Sequence, residues 1–114
     1  MTFTKCYEIE LAVLNYFLNQ KKMKLLNENA KIVSKRELTG VGIITEFTRD
    51  ETLKVGGDNE EYICSETFAY LNDDLNTGYL ITVINGYIDF LECHTNGEPW
   101  PDKIIKFRLY THDD

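Results

Sequence analysis

The sequence predicts an α+β fold, with one long N-terminal helix packed on an antiparallel sheet of four to six strands. Three observations predict it. Residues 4 to about 27 carry apolar side chains at helical spacing. Beyond them the apolar pattern changes to alternation in short runs. Among those runs, Asn85-Gly86 separates two stretches rich in β-branched and aromatic residues. Asn-Gly is the strongest short-range hairpin signal, because both residues of a type I′ turn need positive φ.

The helix is predicted to start at Thr4 as N-cap. Glu8 and Glu10 near its start, and Lys21, Lys22 and Lys24 near its end, complement the helix dipole. Tyr7, Leu11, Leu14, Leu18 and Leu25 form one stripe. Ile9, Val13, Tyr16 and Phe17 widen it to an arc of roughly 200°. That is more than one sheet can cover, so a second element, a long loop or another subunit should cover the rest. Glu10 and Lys24 interrupt the arc, which predicts that part of it stays wet.

Residues 31–38 read as a weak strand, and 43–48 as a good one after Gly40-Val41-Gly42. Residues 49–61 read as a polar loop, expected to be the most mobile part of the chain. A strand follows at 62–71, then a loop at 72–78. The hairpin strands are 79–84 and 87–94, and after a loop at 95–103 a last strand at 104–110 belongs at or near an edge.

A two-residue turn sets the expected pairs Ile84–Tyr87, Val83–Ile88, Thr82–Asp89, Ile81–Phe90 and Leu80–Leu91. One face then carries Tyr79, Ile81, Val83, Ile88 and Phe90 as core. The other carries Leu80, Thr82, Ile84, Tyr87, Asp89 and Leu91, and Cys93 falls on it too. Such a face is too apolar for open water and too polar for a deep core. It suits an interface or a groove, or a cover formed by loop 95–103.

The 114 residues suit one domain, 1–114, with 43% hydrophobic and 27% charged residues. A net charge of −7 argues against nucleic acid as a partner and suits a basic protein. Simple solubility is the plainer reading of the same charge. Cys6, Cys64 and Cys93 are odd in number and lack CxxC spacing, so reduced thiols and a cytoplasmic setting are expected. No signal peptide or membrane span is visible.

No motif carries a reaction. Gly40-x-Gly42 lacks a third glycine and leads into a strand, so it reads as a bend or bulge rather than a phosphate loop. Residues 72–78 have part of the calcium-loop spacing, but Val83 stands where a bidentate glutamate belongs; the segment reads as an Asx-type turn. Glu92 and His94 share a strand face, yet two ligands make no metal site, and His112 is the only other histidine. Cys93 and His94 point to opposite faces, against a nucleophilic pair. In Glu98-Pro99-Trp100-Pro101 two prolines stiffen the backbone around the only tryptophan. Trp100 is expected to plug the end of the core; the alternative is an aromatic anchor beside Glu92 and Glu98.

The run Gly86-Tyr87-x-x-x-Leu91-Glu92-x-x-Thr95-x-Gly97-Glu98-Pro99-Trp100-Pro101 resembles the C-terminal signature of small uncharacterised bacterial α+β proteins, some of them immunity-protein-like. Gly40-x-Gly42-Ile43-Ile44-Thr45-x-Phe47 resembles an upstream strand in the same group. The resemblance implies an α+β fold, a bacterial cytoplasmic setting and a protein-binding role, and no functional residues are carried over from it.

The expected function is therefore a non-enzymatic protein-interaction domain, immunity-like, meeting a basic partner with an acidic surface. Asp89, Glu92, His94, Glu98 and Trp100 are the candidate binding residues. No catalytic, cofactor-binding or metal residue is assigned. A homodimer is also expected, from the wide helix arc and the half-apolar sheet face. The alternative is a ligand-binding or enzymatic domain with a pocket between helix and sheet; Glu92, His94 and a tyrosine in one deep pocket would favour it.

Overall fold

The computed structural model describes residues 3–111. It contains α1 (Glu8–Gln20), β1 (Val33–Leu38), β2 (Gly42–Phe47), β3 (Tyr62–Leu71), β4 (Leu75–Ile84), β5 (Tyr87–His94) and β6 (Phe107–Tyr110). The strands form one antiparallel sheet in the order β1-β2-β5-β4-β3-β6. The α+β expectation holds, with one helix on a six-stranded sheet. His112 lies outside the described residues.

The helix is shorter than its apolar pattern suggested. Thr4 is not its N-cap; it bridges to Val33, and the helix starts after Tyr7. The Tyr7 N–H donates to Glu10 Oε1 at 2.7 Å, the returning half of a capping box. At the other end Lys22 adopts φ 57°, Met23 N–H bonds Leu18 O, and Lys22 N–H bonds Asn19 O. These are the paired hydrogen bonds of a Schellman motif, here without its usual glycine. Lys24 and Leu25 thus lie beyond the helix, and Leu25 is exposed.

Most of the broad apolar arc is covered from within the chain, with Tyr7 left half exposed. Ile9, Val13, Leu14, Phe17 and Leu18 are buried on the core side. After α1 the chain doubles back, burying Leu26 and Ile32. Asn15 holds this return: its Oδ1 accepts from Leu26 N–H at 2.8 Å.

Glu10 is not where the arc stays wet: it is fully buried at 0% exposure, and the wet part falls at Tyr7 instead. Arg36 reaches it from β1, with Nε to Oε2 at 3.0 Å and Nη2 to Oε1 at 2.5 Å. Thr45 Oγ1 on β2 donates to Oε2 at 2.5 Å. The Arg36 guanidinium also sits 3.6 Å from the centre of the Tyr7 ring. The start of α1 is thereby fixed onto β1 and β2.

The β4–β5 hairpin occupies the centre of the sheet, with Asn85 at φ 53° and Gly86 at φ 82°. Its first two pairs are Ile84–Tyr87 and Val83–Ile88, and a bulge then leaves Asp89 without a partner. The following pairs are Thr82–Phe90, Ile81–Leu91, Leu80–Glu92 and Tyr79–Cys93. The expected register beyond Ile88 is therefore off by one. Leu91 and Cys93 are buried core residues, whereas Phe90 moves to the opposite face.

Two predicted loops also change. The turn after β3 spans only Asn72–Asp74, and residues 75–78 belong to β4. Asn72 makes no local Asx turn; its Oδ1 accepts from Ile105 N–H and its Nδ2 donates to Lys103 O. Residues 49–61 are tied to the hairpin turn rather than standing free. Val55 and Gly56 N–H groups share Gly86 O, Gly86 N–H bonds Glu60 O, and Leu53 is fully buried. Finally, residues 95–106 run beside α1, where Trp100 and Ile104 pack against the core cluster. They do not cover the other sheet face.

Candidate functional site

The helix and residues 95–106 cover one side of the sheet. The opposite side is uncovered among the described residues except at the hairpin end, where Arg49 and Lys54 lie over the Tyr87 ring. Its side chains fall into rows across the strands, set by the pairing. Glu46, Phe90, Thr82 and Ile63 form the first row, and Ile44, Glu92 and Leu80 the second. Gly42, His94, Gly78, Phe68 and Tyr110 form the third, and Asn76, Tyr70 and Arg108 a fourth at the β6 end. All the large side chains here are half-buried or exposed, as expected for an apolar surface with nothing on it.

The aromatic end of this face is ordered. Phe68 stacks on Tyr110 with centroids 5.5 Å apart, and Tyr70 stacks on Tyr110 at 4.8 Å. The Arg108 guanidinium lies 5.0 Å from the Tyr70 ring centre. Tyr110 OH donates to Asn76 Oδ1 at 2.5 Å. Burial, with Tyr70 beside it, raises the Tyr110 phenol above its ordinary value.

His94 occupies a trough between two glycines. A Cβ at Gly78 would come within 2.8 Å of His94 Cε1, so only glycine lets the imidazole lie flat over β4. Gly42, on the other side, would drive a Cβ into the Cys93 carbonyl oxygen, so it is required for strand contact. Glu92 and His94 share this face with Glu46 and Phe90, as their common parity predicts.

The remaining candidates lie elsewhere. Asp89 sits in the bulge at the hairpin end and pairs with Arg49, Nη2 to Oδ2 at 3.0 Å. That hydrogen bond raises the Arg49 pKa. Beside it Tyr87 OH donates to Glu51, which raises the Tyr87 pKa. Glu98 is exposed in the loop after β5, where its carbonyl accepts from the Thr95 hydroxyl. Trp100 is half-buried, with its N–H bonded to Gly40 O at 3.0 Å. It is a wall rather than a complete plug, and it does not join Glu92.

That wall bounds a cleft of about 790 Å³ on the helix side of the sheet. Tyr7, Leu38, Ile43, Trp100, Ile104 and Phe107 line it, with Glu8, Asp102 and Lys103 among its polar groups. Neither Glu92 nor His94 reaches it. Among the described residues no group of three His, Cys, Asp or Glu side chains is placed to hold a metal ion. No helix there is long and apolar enough to cross a membrane.

The sequence reading missed the aromatic end of the open face. Phe68, Tyr70 and Tyr110 show correct alternation within their own strands. Joining them needed the β3–β6 pairing, between strands separated by β4 and β5 in the chain. No family model matches the sequence, and no similar curated protein or solved structure was found.

Proposed function

We propose that this chain is a non-enzymatic protein-interaction domain that binds a basic protein through the uncovered face of its sheet. The observation that carries the proposal is the contrast between the two sides. One is packed under a helix and a long segment, with a cleft at one end; the other leaves Ile44, Leu80, Phe90, Phe68, Tyr70 and Tyr110 facing outward. Six strands at about 4.8 Å spacing, averaging about seven residues at about 3.3 Å rise, give a face of roughly 700 Å² before side-chain relief. That approaches the roughly 800 Å² each partner contributes to a stable complex.

Charge selects the kind of partner. Glu37, Glu46 and Glu92 stand on the β1-β2-β5 half without ion pairs among the described residues. Lys35 and Arg108 stand on the same face, and Arg49 and Lys54 lie over the Tyr87 ring at its hairpin end, each paired with a carboxylate, Asp89 and Asp58. With a net charge of −7 behind it, this surface attracts a basic protein and steers its approach. An immunity-like role in a bacterial cytoplasm, blocking a basic toxin, fits this chemistry. A second copy of the chain is the alternative occupant, favoured by the size of the apolar patch and opposed by its acidity.

Capture from lysate of the native host tests the proposal with three baits. These are the wild type, a Leu80→Asp/Phe90→Asp double variant, and a Leu25→Asp control on the helix side. A basic protein retained by wild type and control, and lost by the double variant, is the expected result. Equal capture by all three baits would contradict it. A dimer in sedimentation that only the double variant abolishes would assign the face to a second copy.

A further inference from the structure

The cleft beside Trp100 is independent of the open sheet face, because Ile43 and Phe107 line it from the core side. At about 790 Å³ it falls in the range of small-molecule sites, and its walls are mostly apolar, as such sites require. We infer that it binds a small organic cation, with a ring-sized apolar body and one ammonium group.

Three aromatic side chains border the space: Tyr7 at the start of α1, Trp100 in the covering segment and Phe107 on β6. Aromatic walls attract cations through the negative faces of their rings. Glu8 and Asp102 add two carboxylates that make no ion pair among the described residues; Lys103 is the one cation lining the space. Arg36, stacked on Tyr7, is neutralised by Glu10 and does not repel a positive guest. An anionic guest would meet two carboxylates and lose.

The site is also held ready. Pro99 and Pro101 restrict the backbone on both sides of Trp100, and the bond from its backbone N–H to Gly40 O holds the main chain there. Arg36 clamps the Tyr7 ring at 3.6 Å. The mouth is accessible, with Leu38 at 75% and Tyr7 at 51% exposure. A rigid site forfeits little entropy on binding a small guest.

Trp100 is the only tryptophan, so its fluorescence reports occupancy of the cleft directly. The experiment titrates the full chain with phenethylammonium, 2-phenylethanol and phenylacetate, which share a ring and differ in charge. A saturable change with phenethylammonium is expected, with Kd about tenfold below that of the alcohol, and none with phenylacetate. The Glu8→Gln/Asp102→Asn variant changes two exposed residues and should keep the fold. It should bring the ammonium Kd up to that of the alcohol while leaving the alcohol unchanged. Equal affinity of ammonium and alcohol for the wild type would overturn the cation assignment. The absence of any saturable response up to about 10 mM would overturn the site itself.

Discussion

At the scale of the residue, the buried polar groups explain why this fold is specific. The Glu10 carboxylate has no access to water, yet Arg36, Thr45 and the Tyr7 N–H satisfy it. A buried ion pair adds little net stability when complete, but losing one partner strands the other. Glu10→Ala should therefore cost about 3 kcal/mol, read from denaturant midpoints. A change within about 0.5 kcal/mol would mean that Arg36 finds solvent unaided. The sequence showed Glu10 inside an apolar arc and suggested water. The partner that reverses this reading lies 26 residues away, on a strand whose register the sequence did not fix.

The thiols set the alkaline limit. Burial pushes the Cys6 thiol up to about 12 and raises Cys93 as well, with Glu10 adding to both. Burial likewise raises the Tyr79 phenol. Each group prefers to be neutral in the folded state. Their contribution is complete below the unfolded values of 9.0 for the thiols and 10.0 for the phenol, and is lost as pH rises beyond them. The denaturation midpoint should hold steady up to about pH 8.5 and fall between about pH 9 and 11. Cys93→Ala should flatten part of that fall; a midpoint that stays level to pH 11 would contradict the buried thiols. All three cysteines are free, so thiol counting after denaturation without reductant should return every one.

At the scale of the element, turns and ends decide what periodicity alone cannot. The apolar stripe of α1 continues past its end, but Lys22 turns into the left-handed region and stops it. Lysine is strained there, and glycine is not. Lys22→Gly should stabilise the protein by about 0.5 kcal/mol, the relief of strain being partly offset by the greater freedom of glycine in the unfolded chain. A loss of stability would show that the lysine side chain holds the turn by other contacts. The hairpin behaves differently, because its turn was legible. Asn-Gly adopts the positive φ values it signals. Gly86→Val should cost about 3 kcal/mol or more, because the left-handed strain is joined by a clash. A Cβ there would stand 2.4 Å from Gly56 O and 2.5 Å from Gly57 O. An unchanged midpoint would show that loop 49–61 does not pack on the turn. What failed in the hairpin was the register beyond it. A single unpaired Asp89, held by Arg49 from that same loop, inverts which of Phe90 and Leu91 faces the core. Alternation within one strand cannot reveal a bulge when the residues on both sides of it are apolar.

At the scale of the whole molecule, the chain builds one covered side and leaves the other open. The fold class was legible because helical and alternating periods are properties of consecutive residues. The assembly of the open face was not, since it depends on β1, β2 and β6 joining a central meander. Glu92 and His94 did come together on that face, through their shared strand parity. Trp100 and Glu98 went to the segment after β5 and Asp89 to the strand bulge held by Arg49, positions that come from tertiary contacts. Most of the helix arc is buried within the chain, with Leu26 and Ile32 of the return segment buried beside it, while Tyr7 stays half exposed. The proposed partner docks on the open sheet face, where Ile44, Leu80, Phe90, Tyr70 and Tyr110 stand together. Hydroxyl-radical footprinting of the captured complex against the purified protein tests this claim most directly. The account predicts protection of Phe90, Tyr70 and Tyr110 in the complex, with Leu25 and Tyr7 on the helix side unchanged. Protection of Leu25 or Tyr7, with Phe90 and Tyr70 as reactive as in the free protein, would contradict it.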